Sequence, residues 1–476
     1  MAQLVMRAAK PLIRWYALDF LKERDVSARE EALIKKKIKR VAKSGLGKKL
    51  GTEQETKVGK IPFTGYDYYL PFFRNPHEGD FIYPLDDYIR SQTSGTMGKP
   101  KIFLHPKKGV MENLKRSVIS LMFICTHDGT RPLLEMGDAI YANLPGGAFI
   151  GGQITSSIRG SQASFIKMVP EDANNMTFKE KVDYFIKNHE KIDMAYMTVT
   201  TFLDEICPQV DDEIYLKGFL TQDISAGPLK EKMKEKSGHY PKTVFGSTET
   251  FLSGLPSVEY PGSFFFDWRV VYHEFLPEDQ AVDPNIVTMT EPPRTIGMMD
   301  VEPGKRYQLI VTPIYNDLNR YVMPDIFECV SKGDNLLNSN IPVFKYYSRA
   351  DRLLVLHNFT RINEEEMVSM LHDAEIPFVD FTARRELHES REFLSLYIEL
   401  SESMSEDEII DRVNKRLVEF DKDWRDLSGF MNYTPLKVTI LPKDTFKKYL
   451  HSKEGMARIQ RIGMREERFN ELLSHT

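Results

Sequence analysis

Cysteine is scarce in this chain, with three in 476 residues. Cys125, Cys207 and Cys329 stand far apart, with no Cys-x-x-Cys and no His/Cys cluster. That excludes a disulfide framework and a structural metal site, and the sparse, odd set fits a reducing cytoplasm. No apolar run approaches the ~20 residues that a membrane span needs. Charge of one sign is also missing: 64 Lys and Arg against 69 Asp and Glu leave a net charge of −5. That balance argues against nucleic acid as the main ligand. A secretory leader is not expected, because Arg7, Lys10 and Arg14 interrupt any apolar core near the start. There is no internal repeat and no low-complexity tract.

What is present is the composition of an ordinary globular protein, 41% hydrophobic and 28% charged, long enough for more than one domain. Residues 1–24 are amphipathic and basic, with Leu12, Trp15, Tyr16, Phe20 and Leu21 among the apolar positions. They fit a membrane-surface helix or a helix packed on the main domain, and packing is the expectation. Residues 28–43 read as a second helix stopped by Gly45 and Gly47. A strand at 102–104 and a helix over about 107–125 follow.

From about residue 138, short apolar strands alternate with helices. Strands are expected at 139–142, 163–168, 194–198 and 218–224, with helices over about 177–188, 200–206 and 228–237. Such alternation predicts a doubly wound α/β architecture. Beyond residue 350 the pattern changes to strands at 353–356 and 393–400, a helix at about 405–420 and a strand at 438–441. The expected division is a large α/β domain over 1–350 and a small α+β domain over 351–476.

Chemistry is concentrated in Ser91 through Lys101, which holds four hydroxyl residues, two glycines and two lysines. Gly95 and Gly98 free the backbone to turn consecutive N–H groups toward one point. Thr93, Ser94 and Thr96 add hydroxyl donors, and Lys99 and Lys101 add charge. This is a polyphosphate cradle. It is not a Walker A loop, because only two residues separate the glycines and Pro100 follows Lys99. Its alternative is a Gly/Ser surface loop with incidental lysines.

Further along, Phe245-Gly246-Ser247-Thr248-Glu249 joins an aromatic at a strand end, a glycine turn, two hydroxyls and a carboxylate. An aromatic there can stack on a base, and a carboxylate beside phosphates suits Mg²⁺. Asp325 closes Asn319 through Asp325, and Arg349 and Asp351 sit in Ser348-Arg349-Ala350-Asp351. Taken singly, each fits a strand-to-turn junction, a turn or a salt-bridged hairpin.

Taken in order, these segments resemble the motifs of the adenylate-forming, acyl-activating enzymes. The loop resembles Thr-Ser-Gly-Thr-Thr-Gly-x-Pro-Lys, with Met97 as its one departure. Phe245 through Glu249 is similar to Tyr-Gly-x-Thr-Glu, and Tyr321 with Asp325 resembles Tyr-Arg-Thr-Gly-Asp, whose middle residues differ here. The segment 348–352 resembles the hinge motif Gly-Arg-x-Asp-x. Ile61-Pro62, Tyr66, Tyr69, Phe72-Phe73 and Glu78-Gly79 before the loop, and Lys101 through Pro106 after it, look like the acyl-acid amido synthetases of the plant-hormone-conjugating type. Phenylacetate–CoA ligase is a near neighbour.

The resemblance implies ATP, Mg²⁺ and a carboxylic acid as partners, with an acyl-adenylate formed first. It implies a fold with a large N-terminal domain of parallel-rich sheets and helices and a small mobile C-terminal domain. By the same resemblance, Thr93, Ser94, Gly95, Thr96, Gly98 and Lys101 grip the phosphates. Ala226, Gly227, Phe245, Gly246 and Ser247 border the nucleotide, Asp325 meets the ribose, and Arg349 approaches ribose or phosphate. Thr248 and Glu249 serve catalysis, Glu249 through Mg²⁺, and Asp351 is the hinge. The acid pocket draws on Gly146, Gly147, Phe149 and Tyr196. The C-terminal adenylation lysine is open, because the usual Gly-Lys pair is missing; Lys443, Lys447, Lys448 and Lys453 are candidates, of which Lys443 and Lys447 are carried forward.

For the second step, thioester formation is the commoner outcome among compact relatives, so CoA is the first expectation. An amine or amino acid is the alternative, and a nucleotide-binding relative without turnover is a third.

Overall fold

The computed structural model describes residues 11–92, 101–143, 166–173, 175–199, 201–211, 213–222, 226, 229–350, 353–356, 360–389, 391–421, 423–426, 433–452, 459–464 and 466–476. Two compact units are present: a large one over 1–93 and 102–351, and a small one over 94–101 and 352–476.

The large unit holds a five-stranded sheet, in the order Lys167–Val169, Ala139–Ala142, Met194–Tyr196, Gly218–Thr221, Lys242–Thr243. Every neighbouring pair is parallel. The alternation of strands and helices is therefore the βαβ pattern that sequence predicts. Phe178–Asn188 begins at a reciprocal cap in which Thr177 and Glu180 each accept the other's backbone N–H. Lys230–Ser237 ends at Gly238, whose φ of 77° suits glycine. At 201–206 the expected helix is a π-helical turn. Residues 107–125 are helical throughout, with a π turn at Leu114–Val118.

This unit also holds a two-stranded sheet, which pairs Tyr88–Gln92 with Ile102–Pro106, and a ten-stranded one. The main path of the ten-stranded sheet runs Ile296–Gly297, Val271–Pro277, Arg306–Pro313, Tyr321–Ser331, Val343–Arg349, Phe264–Phe266, Phe251–Pro256, Phe245–Ser247. All pairs along the path are antiparallel. Phe63–Thr64 adds to it, and Thr64 makes a parallel pairing with Tyr321. Parallel strands thus dominate only the five-stranded sheet. Phenylalanines fill the core beneath the ten-stranded one. Phe275 and Phe344 stack at 4.9 Å, and Phe266 meets Phe327 edge-on at 5.5 Å.

Helix Val26–Val41 buries Val26, Ile34, Ile38 and Val41, together with Glu30 and Lys37. Gly45 and Gly47 do not simply stop it: they open a short helix, Gly45–Lys49, capped by Ser44, which accepts from Gly47 N–H. A Cβ on Gly47 would lie 1.9 Å from the Val41 carbonyl oxygen, so the residue is there for close approach. Residues 11–18 are helical, and the turn Asp19–Lys22 follows. Ala17, Phe20 and Leu21 join the main core. Leu12, Trp15 and Tyr16 remain exposed.

The small unit has a three-stranded sheet. Phe378–His388 pairs antiparallel with Arg391–Leu400, and Leu436–Leu441 lies parallel to the latter. Helices Glu364–Asp373 and Glu406–Phe420 contribute Met367, Met370, Leu371, Ile409, Val413 and Leu417 to its core. Among the described residues no helix is long and apolar enough to cross a membrane.

Candidate active site

Strands Phe245–Ser247 and Phe251–Pro256 form a hairpin whose three-residue turn is Thr248-Glu249-Thr250. The turn is tied from within: Thr250 N–H donates to Ser247 Oγ at 3.2 Å, and the two hydroxyls lie 3.1 Å apart. It is also tied from outside. Asn316 Nδ2 donates to the Glu249 carbonyl at 3.3 Å and lies 3.2 Å from His105 Nδ1. The Glu249 backbone is thus fixed while its carboxylate, half-buried, pairs with no cation among the described residues. Thr248 lies half-buried beside it.

Two phenols share the electrostatic environment of Glu249. Burial pushes Tyr66 above the usual tyrosine range, with Glu249 a smaller contributor. Burial drives Tyr321 up further, and the Glu249 carboxylate is the next largest cause. Both phenols therefore keep their proton. Tyr66 also grips Ile102: Ile102 N–H donates to its oxygen at 2.8 Å, and its hydroxyl donates to the Ile102 carbonyl at 3.2 Å. Ile102 follows the Gly95–Lys101 loop directly in sequence. Thr93, Ser94, Gly95, Thr96 and Gly98 lie outside the described residues. Lys101 is exposed.

Asp325 and Arg349 face each other across neighbouring strands and form an ion pair, Nη1 to Oδ1 at 3.3 Å. Asp325 is 8% exposed, so the pair lies largely out of water. Phe245 is half-buried. Its ring stacks on Phe264 at 5.7 Å and meets Phe327 edge-on at 5.0 Å, two residues beyond Asp325. Phe245 is thus part of the aromatic core while keeping partial exposure. Gly246 is crowded: a Cβ there would come within 3.0 Å of Gln222 Nε2 and 3.1 Å of the Phe251 carbonyl oxygen.

Of the expected acid-pocket residues, Tyr196 ends a strand of the parallel sheet, and its carbonyl accepts the Asn143 N–H at 2.8 Å. Ala226 is fully buried. Gly146, Gly147, Phe149 and Gly227 lie outside the described residues, as does the hinge candidate Asp351.

Within the small unit, Lys443 is exposed in the turn after Leu436–Leu441. That turn is held by Glu399, which accepts from Asp444 N–H at 2.8 Å and Phe446 N–H at 3.1 Å. Asp444 adopts a left-handed φ of 65°. Lys447 is exposed on the following helix, Thr445–His451. Lys443 thus projects from a braced turn, Lys447 from a short helix.

Sequence reasoning passed over the supports of the Glu249 turn. His105 is fully buried, and burial pushes its pKa down to about 3, so it acts as a neutral ring. Lys37 is also fully buried and donates to the carbonyls of Pro313 (2.7 Å), Leu318 (2.9 Å) and Asn316. Burial lowers its pKa, against the pull of the Asp317 carboxylate. Asp317 in turn accepts from Tyr88 Oη at 2.7 Å and Ile82 N–H at 2.8 Å. Arg320, beside the Tyr321 motif, has a structural place. It is 2% exposed and pairs bidentately with Glu274, Nε to Oε2 at 3.0 Å and Nη2 to Oε1 at 2.9 Å. Lys37 and Arg320 sit in polar contexts whose only sequence signal is a charge on an otherwise apolar face.

Residues 264–349, which include Asn316, Asp325 and Arg349, match the GH3 family central domain. Indole-3-acetic acid-amido synthetase GH3.3 of Arabidopsis thaliana is 30% identical over 108 residues, which is 23% of this chain and 16% of that relative. The acyl acid amido synthetase AtGH3.15, solved in complex with 2,4-DB, superposes with a TM-score of 0.53 at 14% identity, covering 96% of this chain and 95% of that one. 2-Hydroxyisobutyryl-CoA ligase, solved with 2-HIB-AMP and CoA in the thioesterification state, gives a TM-score of 0.61 at 14% identity over 96% and 94%. The chain therefore has the fold shared by acyl acid amido synthetases and acyl-CoA ligases of the adenylate-forming kind.

Proposed function

We propose that the protein is an ATP-dependent, AMP-forming ligase that activates a carboxylic acid and passes the acyl group to CoA. One observation carries the reading. The Glu249 turn, braced by Asn316, shares its surroundings with Tyr66, which clamps Ile102 at the end of the glycine- and hydroxyl-rich loop.

A carboxylate is a poor acylating agent because oxide is a poor leaving group. Its oxygen attacks the α-phosphorus of ATP, the bond to the β-phosphate oxygen breaks, and pyrophosphate leaves. The CoA thiolate then attacks the acyl carbon and AMP departs. Residues 93–101 orient the triphosphate, Asp325 accepts from ribose hydroxyls, Arg349 offsets anionic charge, and Phe245 offers an aromatic edge to the base. Glu249 fits a hard cation: a carboxylate with no ion pair among the described residues suits Mg²⁺, which takes one or two carboxylates plus substrate phosphates. Bound there, Mg²⁺ would offset charge on those phosphates. Tyr196 borders the acid, Thr248 the α-phosphate, and Lys443 or Lys447 completes adenylation from the small unit, which turns about Asp351. The sparse cysteines support a cytoplasmic location, which fractionation with marker enzymes checks.

Amide formation is the second reading. It is favoured by the match of residues 264–349 to the GH3 central domain and by the amido-synthetase-like residues 61–79.

Acid-dependent ATP–pyrophosphate exchange over a panel of aliphatic, aromatic and indolic acids tests the first step. Exchange with none of them leaves a nucleotide-binding relative without turnover. Once an acid is found, mass spectrometry with CoA or mixed amino acids separates thioester from amide. Asp351→Pro is expected to depress acyl transfer at least tenfold more than exchange, as a hinge must. Equal losses remove the hinge role.

A further inference from the structure

Lys37 lies on helix Val26–Val41, 279 residues before Asn316 in the loop that it holds. Its ammonium has three N–H donors, and three backbone carbonyls take them, those of Pro313, Asn316 and Leu318. Burying an ammonium is costly unless its donors are satisfied. Apolar packing could hold a loop in place, but only directed donors fix the orientation of three of its peptide groups. The loop fixed in this way contains Asn316, whose Nδ2 holds the Glu249 carbonyl. On its other side Asn316 Nδ2 meets His105, a buried ring wedged between Phe103 (5.9 Å) and Phe251 (4.8 Å). The chain of contacts therefore runs Lys37, the 313–318 loop, Asn316, the Glu249 backbone.

We propose that Lys37 and Asn316 are positioning residues for the divalent-cation site: together they set the Glu249 turn, and with it the carboxylate that binds the metal of metal–ATP. Neither touches nucleotide or acid; each acts through the turn. The inference rests on the proposed metal role of Glu249.

The test is calorimetric binding of ATP to the full-length protein, in Mg²⁺ and in EDTA, alongside pyrophosphate exchange. In the wild type, Mg²⁺ strengthens ATP binding. Lys37→Met and Asn316→Ala each reduce that strengthening about tenfold, the scale of a hydrogen bond to a charged or site-fixing group. Affinity in EDTA stays within twofold of wild type. The double variant is no worse than either single, because both act along one chain of contacts.

Unchanged Mg²⁺ strengthening in Asn316→Ala, or losses that add in the double variant, overturns the inference. Glu249→Gln separates the two levels. If that variant keeps the Mg²⁺ effect, the metal role of Glu249 falls and the inference falls with it. If Glu249→Gln loses the effect while the Lys37 and Asn316 variants keep it, only the present inference falls. Should Lys37→Met fail to fold, Asn316→Ala decides alone.

Discussion

In the five-stranded sheet every neighbouring pair is parallel, and strands such as Ala139–Ala142 and Gly218–Thr221 are buried along their whole length. In the ten-stranded sheet the main path is antiparallel, and chemically distinctive side chains stand on the strands or in a tight turn between them. Asp325 faces Arg349 across one pair, and Glu249 tops a hairpin. A parallel strand buried on both faces has no room for polar side chains, so function moves to the loops at its carboxyl ends. An antiparallel strand can give one face to the core and another to a ligand. The antiparallel sheet is thus suited to hold the invariant part of the proposed chemistry, the nucleotide. Tyr196, proposed to border the variable part, the acid, ends a parallel strand.

That contrast can be broken most directly at Glu249. Glu249→Gln is expected to lower exchange by ~10²–10³-fold, the scale of removing one preorganised electrostatic group. Its melting temperature should stay within about 3 °C, since the turn is held by its backbone. Near-normal exchange would contradict the assignment. Asp325→Ala comes next, with a rise of ~10–100-fold in the KM for ATP, from loss of charge-assisted hydrogen bonds. The KM for the acid should hardly move; a matching rise there would merge the two regions.

On the parallel side, Tyr196→Leu should reorder acid preference by ~10-fold, as one pocket contact does, and leave the KM for ATP within twofold. An unaltered order of acids would remove Tyr196 from the pocket.

The smallest effect concerns stability. His273 is fully buried in the antiparallel sheet, and burial pushes its pKa down to about 3. The unfolded chain takes up this proton near pH 6.5 and the folded chain does not. Its contribution is therefore intact above pH 6.5 and is lost as pH falls from 6.5 toward 3, at up to ~1.4 kcal/mol per pH unit. Glu30 runs the other way: burial pushes it up to about 8, so its contribution is lost as pH rises from about 4.5 to 8. Urea unfolding from pH 4 to 8 should show His273→Phe with a flatter acid limb and Glu30→Gln with a flatter neutral limb. An acid limb as steep as wild type in His273→Phe would show that the ring is protonated in the folded state.

The sheets also differ in how far sequence exposed them. Ala139–Ala142 and Phe178–Asn188 were readable because an apolar strand, a capping Thr177 and a 3.6-residue period are local signals. Phe264–Phe266 and Val271–Pro277 carried no comparable mark, since a short apolar run fits a buried helix as well as a strand. The helix ending at Val41 was readable, but the role of Gly45 and Gly47 was not: glycine reads as a stop unless the close contact with Val41 is known. For the candidate site, Glu249, Asp325 and Arg349, whose roles are proposed, were singled out by their motifs. Their supports, Lys37, His105 and Asn316, were not, because a buried lysine and a solvated one look alike in sequence.

By itself the sequence determined the local things: which segments alternate as strand and helix, where glycines and hydroxyls gather around Gly95, and which carboxylates follow a strand end. Only the tertiary structure decided that an ammonium on the helix starting at Val26 would close over the carbonyls of Pro313, Asn316 and Leu318. Local preference acts over a few residues. A hydrogen bond between groups hundreds of residues apart exists only once packing has brought them within about 3 Å in the right direction.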